Sequence, residues 1–140
     1  MLRSGLALAG ANARRSGEDD GILTALEAAG LDLWGTKLVV LSACDTGVGE
    51  VKNGEGVYGL RRALVLAGAE TQGMSLWPVS DEGTRDLMIG YYQGLQAGQG
   101  RGEALQHVQR QLLARPERRH PFYWASFIQS GEWANLDGQR

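Results

Sequence analysis

Cysteine occurs once in the 140 residues, at position 44. No disulfide can form within the chain and no zinc site of several thiolates can be built, which fits a reducing compartment. Histidine is nearly as scarce: His107 and His120 stand 13 positions apart, outside any metal-ligand spacing. An excess of one charge is also missing. Lys and Arg number 14 against 16 Asp and Glu, a net charge of −2, so nothing in bulk draws the chain to nucleic acid or anionic lipid. No apolar run approaches the roughly 18 residues that span a bilayer, and Met1-Leu2-Arg3-Ser4 lacks the apolar stretch of a secretory signal. The expectation is a cytoplasmic protein that uses no cofactor, nucleic acid or membrane.

What is abundant is glycine, 21 residues without a fixed period. Many stand at the ends of apolar segments, where tight turns belong. Gly5 to Gly10 reads as a short strand running into a polar loop, and residues 21–30 as a short helix with Ile22, Leu23 and Leu26 on one face and Gly30 as its stop. Lys37 to Ala43 is the clearest strand. Its four consecutive apolar residues, Leu38 to Leu41, are the habit of a central parallel strand covered on both faces. A loop rich in Gly, Asp and Asn runs from Cys44 to Gly56. A helix follows over about Val57 to Ala67, with Val57, Leu60, Leu64 and Ala67 on one stripe.

Glu70 to Trp77 is a second strand, weakened by Gly73 and ended by Pro78. Ser80 caps a third helix with Asp81 and Glu82 in its first turn, and a fourth spans about Gly102 to Leu113. Tyr123 to Ile128 is a last strand, or a helical turn ahead of one. The alternation predicts an α/β sandwich with a mainly parallel sheet in one domain.

Cys44 stands out chemically. It follows an apolar strand at the start of a glycine-containing loop that leads to a helix, and in open α/β sheets ligands bind beyond the carboxyl ends of strands. A nearby helix N-terminus would favour the thiolate; a lone cysteine is also commonly an inert buried residue. Asp45-Thr46-Gly47 matches the triplet of retroviral-type aspartic peptidases, but the helical pattern that follows does not suit their many short alternating strands; Asp45 also reads as a turn residue. His107 lies at the edge of a helix stripe, where packing or surface exposure explains it. His120 precedes Pro121 and the aromatic run Phe122-Tyr123-Trp124, as a His-Pro turn pinned by aromatic packing would. Neither is an evident base for a thiol. Asp81 and Glu82 can form an acidic pocket for a basic side chain or can simply be first-turn helix acids. Gly47-Val48-Gly49 and Gly54-Glu55-Gly56 are incomplete as phosphate-binding loops.

Several motifs occur in order: Leu41-Ser42-Ala43-Cys44-Asp45-Thr46-Gly47, Asn53-Gly54-Glu55-Gly56-Val57, Leu66-Ala67-Gly68-Ala69 and Ser75-Leu76-Trp77-Pro78-Val79-Ser80-Asp81-Glu82. Tyr91-Tyr92, Gly100-Arg101 with Glu103-Ala104-Leu105, and His120-Pro121-Phe122-Tyr123-Trp124-Ala125-Ser126-Phe127 complete the set. Together with Gly5 to Asn12 and Asp20 to Ala25 they resemble the CHAT domain over nearly the whole chain. The resemblance implies a caspase-like α/β fold, a three-layer sandwich related to separases and caspases. It implies Cys44 as the nucleophile of a cysteine peptidase acting on protein or peptide, with no cofactor. Asp45, Glu55 and Asp81 are then the candidates for the substrate pocket.

The family also places a base histidine, followed by glycine, on a strand ahead of this region, often with tetratricopeptide repeats upstream. No His-Gly pair exists in this chain. The expectation is a partial CHAT domain over residues 1–140 that lacks its N-terminal strands. As this chain it is inactive, either a fragment or a pseudo-peptidase serving as an interaction module, with repeat-containing partners and self-association through open strands as its options. Gly73 and Pro78 depart from the family pattern, Gly73 replacing a branched apolar residue.

Overall fold

A computed structural model describes residues 5–13, 20–42, 55–77 and 80–139; for residues 13 and 55–58 the backbone alone is described. The chain divides into two compact units, Met1–Thr36 with Asp45–Ala69 and Lys37–Cys44 with Glu70–Arg140.

In the first unit, β1 (Gly5–Ala7) pairs antiparallel with β2 (Ile22–Thr24), Leu6 opposite Leu23. The helix expected over 21–30 is therefore shorter: α1 is Ala25–Ala29. The reason is a capping box at Thr24-Ala25-Leu26-Glu27. Thr24 Oγ1 accepts from the Glu27 N–H at 3.2 Å and the Glu27 carboxylate accepts from the Thr24 N–H at 2.7 Å. That reciprocal pair starts the helix at Ala25 and leaves Ile22 and Leu23 extended. The Thr24 N–H foremost, and then the Thr24 hydroxyl, which donates to the same carboxylate at 2.8 Å, hold the Glu27 carboxyl below the usual glutamate range.

Helix α2 (Glu55–Leu66) buries Leu60, Ala63 and Leu64, and Ala67 just beyond it, in a unit where α1 packs on α2 and buries Ala25 and Ala28. The stripe expected from Leu60, Leu64 and Ala67 is thus present; the Val57 side chain lies outside the described residues. Small alanines on both helices let the backbones approach.

The second unit holds a three-stranded sheet of order β3 (Val39–Leu41), β4 (Thr71–Ser75), β5 (Phe127–Gly131). β3 and β4 are parallel, Leu41 opposite Met74; β4 and β5 are antiparallel, Ser75 opposite Phe127. The mainly parallel sheet expected from the alternation is realised in one of these two pairings. Two helices in succession, α3 (Asp81–Gln96) and α4 (Arg101–Ala114), carry the chain away from the carboxyl end of β4 and back again. The short α5 (Pro121–Trp124) then delivers β5 beside Ser75, so it runs the other way. β3 pairs with β4 alone among the described residues, and its three residues are half-buried rather than covered on both faces. β4 is buried along its whole length. Gly73 does not interrupt it, being paired with Val40 on one side and Gln129 on the other.

The core of this unit is Leu87, Tyr91 and Leu95 from α3, Ala104, Leu105, Val108 and Leu112 from α4, and Phe127 from β5. Two glycines inside α3 set how close the helices come. A Cβ on Gly90 would lie 2.5 Å from Val108 Cγ2, and one on Gly94 2.9 Å from the Ala104 Cβ. At the amino end of β4, the buried Arg101 guanidinium donates to Thr71 Oγ1 at 2.7 Å and to the Glu70 carboxylate at 3.0 Å. Thr71 Oγ1 in turn donates to the Glu132 carbonyl at 2.7 Å. A buried charge needs such partners, and these join the start of α4 to β4 and the segment after β5.

Candidate functional site

Because β3 and β4 are parallel, the segments that follow them leave the sheet at one edge. Beyond Leu41 come the exposed Ser42 and then, in sequence, Cys44 and Asp45, which lie outside the described residues. Beyond Ser75 come Leu76 and Trp77, both partly exposed. The Leu76 N–H donates to the Ser126 carbonyl at 2.8 Å, so the exit of β4 is fastened to the residue before β5. Ser126 is buried.

The same edge receives the N-terminus of α3. Ser80 Oγ caps it by accepting from the Gly83 N–H at 3.3 Å, as its sequence position leads one to expect. The turn of α5 lies directly against it: a Cβ at Gly83 would come within 3.2 Å of the Tyr123 ring and 3.4 Å of the Tyr123 carbonyl. Arg118 fastens the two. One guanidinium nitrogen lies 3.1 Å from the Glu82 carboxylate and 3.4 Å from that of Asp86, and the guanidinium carbon is 5.1 Å from the Tyr123 ring centroid. The hydrogen bond that Arg118 donates to Glu82 raises the Arg118 pKa above its ordinary value, opposed by desolvation and helped by Asp86.

Of the residues named from sequence for the site, Asp81 alone has a described side chain. It is exposed, on the first turn of α3. Its neighbour Glu82 is matched by Arg118, so the acidic pair is split into one paired and one solvated carboxylate. Glu55 is the first residue of α2, its side chain outside the described residues. Sequence reasoning missed Arg118, whose partner Glu82 is 36 residues away in the chain.

Both histidines make hydrogen bonds within their own turn of chain. His107 is exposed on α4, its Nε2 2.9 Å from the Gln111 amide nitrogen one turn on. His120 is the N-cap of α5: its Nδ1 accepts from the Phe122 N–H at 3.2 Å, which in the neutral ring leaves the proton on Nε2. Trp124 closes the turn by donating from its indole Nε1 to the Arg119 carbonyl at 3.1 Å. Among the described residues no three His, Cys, Asp or Glu side chains are grouped as metal ligands, and no helix is long and apolar enough to cross a membrane.

This arrangement, a parallel strand ending three residues before the one cysteine and a helix N-terminus after the neighbouring strand, agrees with what a family comparison finds. The family model described as CHAT domain matches residues 1–132. The chain belongs to the CHAT domain family. The domain is also 33% identical over 120 residues to Tetratricopeptide repeat protein 28 of Mus musculus and to the protein of the same name of Homo sapiens. Those matches cover 83% of this chain and 5% of each relative, so the chain spans about a twentieth of their length.

Proposed function

We propose that this CHAT domain is the nucleophile-bearing part of a caspase-like cysteine peptidase, and that the 140 residues alone are inactive for want of a base. The observation that carries the reading is the parallel pairing of β3 with β4, since Ser42, the first residue of the S-A-C-D-T-G motif, follows directly on the carboxyl end of β3. In a completed domain a histidine takes the proton from the Cys44 thiol, the thiolate attacks a peptide carbonyl, and the acyl-enzyme is hydrolysed by water. Backbone N–H groups of the loop would hold the oxyanion. Asp45, Glu55 and Asp81 are assigned to the substrate side, Asp81 being the exposed carboxylate of the pair at the start of α3. The three-layer caspase-like sandwich is part of the same proposal, as is a cytoplasmic setting.

A second reading, a non-catalytic interaction module, is favoured by the histidines. His120 Nδ1 is spent on a backbone N–H and His107 lies exposed beside Gln111. The name of the two relatives supports a tetratricopeptide-repeat region as the partner of such a module, and self-association belongs with it.

The test is the alkylation rate of Cys44 against pH, read by intact mass. Without a base the apparent pKa stays at or above about 8, near that of a free thiol. A value near 6 or below, abolished by denaturant, would overturn the inactive assignment and make peptide substrates the next experiment.

A further inference from the structure

His120 is an N-cap whose acceptor is a titratable ring nitrogen. The helix it caps, α5, has four residues, too few to persist on its own hydrogen bonds. Pro121 has no N–H, so the Phe122 N–H is the first donor of that turn and His120 Nδ1 is its partner. An imidazole nitrogen accepts a hydrogen bond only while unprotonated; in the imidazolium both nitrogens are donors. Adding a proton to Nδ1 therefore removes the cap, and it sets a positive charge at a helix N-terminus, where a cation is disfavoured. The ring is exposed, so the proton has free access.

The turn is packed on α3 and adjoins the exit of β4. Tyr123 seats against Gly83 on the first turn of α3, and the chain leaving α5 supplies the Ser126 carbonyl that holds Leu76 at the exit of β4. The charged groups around it are Asp81, Glu82, Arg85 and Asp86 on α3, Arg115 just after α4, Glu117 and Arg118 in the turn Pro116–Arg118, and Arg119. Glu82 and Asp86 are engaged by Arg118, and Asp86 also lies within 3.8 Å of Arg115 and 3.9 Å of Arg85. None of these groups reaches the His120 ring by hydrogen bond or ion pair among the described residues. The Phe122 N–H is thus the bond a proton on Nδ1 displaces, with no acid there to compensate.

We propose that His120 makes α5 a pH-sensitive wall at the carboxyl edge of the sheet, docked when the imidazole is neutral and loosened when it is protonated. Its bearing on Cys44 rests on the proposed function; the switch itself does not. The sign follows from the bond: the cap is present while the ring is neutral and is lost when Nδ1 takes a proton.

The experiment is amide hydrogen exchange of Phe122 by ¹H–¹⁵N NMR on the whole chain, corrected for the intrinsic pH dependence of exchange. Protection should fall about fivefold from pH 8 to pH 5, the fold-change matching an N-cap's typical 1 kcal/mol. His120→Asn keeps a side-chain acceptor without a titrating ring and should hold protection level across that range. His120→Ala should be equally unprotected at both ends. Protection that does not change with pH in the native chain, or that falls equally in His120→Asn, would overturn the proposal. Because the readout is the Phe122 amide, it stands or falls apart from any result on the thiol.

Discussion

The contact of Gly90 on α3 with Val108 on α4 gives a prediction in which two general rules oppose each other. Gly90 lies inside α3, and replacing a mid-helix glycine by alanine ordinarily stabilises a helix by about 1 kcal/mol. Here the new methyl would stand 2.5 Å from Val108 Cγ2 and 3.3 Å from its Cβ. Carbon atoms prefer about 3.5–4.0 Å, so the contact falls short by roughly 1 Å. Val108 is buried on α4, and a β-branched side chain in a helix has one strongly preferred rotamer, so it cannot turn away cheaply. The helices must part, and overpacking of this kind costs about 1–3 kcal/mol.

The steric cost should outweigh the propensity gain, leaving Gly90→Ala about 1 kcal/mol less stable, or lower in Tm by roughly 4 °C. Removing the 2.5 Å contact reverses the sign: in a Val108→Ala background only the alanine Cβ at 3.3 Å remains, so Gly90→Ala should stabilise, by somewhat less than the full propensity gain of about 1 kcal/mol. Urea denaturation followed by circular dichroism of the four chains of this cycle measures both effects and their coupling. If Gly90→Ala stabilises the native chain as much as it stabilises the Val108→Ala variant, the two helices do not meet at this glycine and the reasoning fails.

Two further predictions come from the same unit. At Gly73 an added Cβ would sit 3.7 Å from Val40 Cγ2, an ordinary contact, beside a void of about 10 Å³ lined in part by Met88, Tyr91 and Leu105; Gly73→Ala should therefore raise stability by about 0.4–1 kcal/mol in the same denaturation assay, and a loss would show that the strand needs glycine. Tyr91 is pushed up to about 12, first by burial and then by the neighbouring Tyr92. Its folded value lies above the unfolded one near 10, so this stability is fully present below about pH 10 and is lost as pH rises toward 12. Ultraviolet titration at 295 nm should show one tyrosine ionising last, and Tyr91→Phe should remove that step alone; a native chain in which all four tyrosines ionise together near pH 10 would contradict it.

What could be read from the sequence divides by the distance over which each feature is determined. Ser80 and the acids after it announced the start of α3, because a cap and its helix are neighbours in the chain. The capping box at Thr24 to Glu27 was equally local, and reading it would have moved the first helix to Ala25 and left Ile22 and Leu23 to a strand. Gly90 and Gly94 were invisible to an argument that placed glycines at turns: their reason is a crossing with Val108 and Ala104 on another helix. The direction of β5 depended on two helices running in succession between it and β4, a count that local pattern does not register. Buried Arg101 and the Arg118 clamp are of the same kind, each charge being met by groups about 30 residues or more away.

The candidate site combines both kinds of information unequally. Cys44 was singled out by the strand before it and the motif around it, and its own geometry lies outside the described residues. What the structure adds is the surrounding edge. Ser126 holds the exit of β4, Tyr123 presses on Gly83, and Arg118 joins α3 to the Tyr123 ring. These contacts lie on or beside the four-residue α5, which His120 caps. A histidine that sequence could offer only as a poor base is instead the residue on which one side of that edge is hung. The consequence is that substitutions at His120 should change the packing of α5 against α3 whether or not the thiol ever meets a base, and for that reason loss of activity at His120 in a completed domain would not by itself make it catalytic.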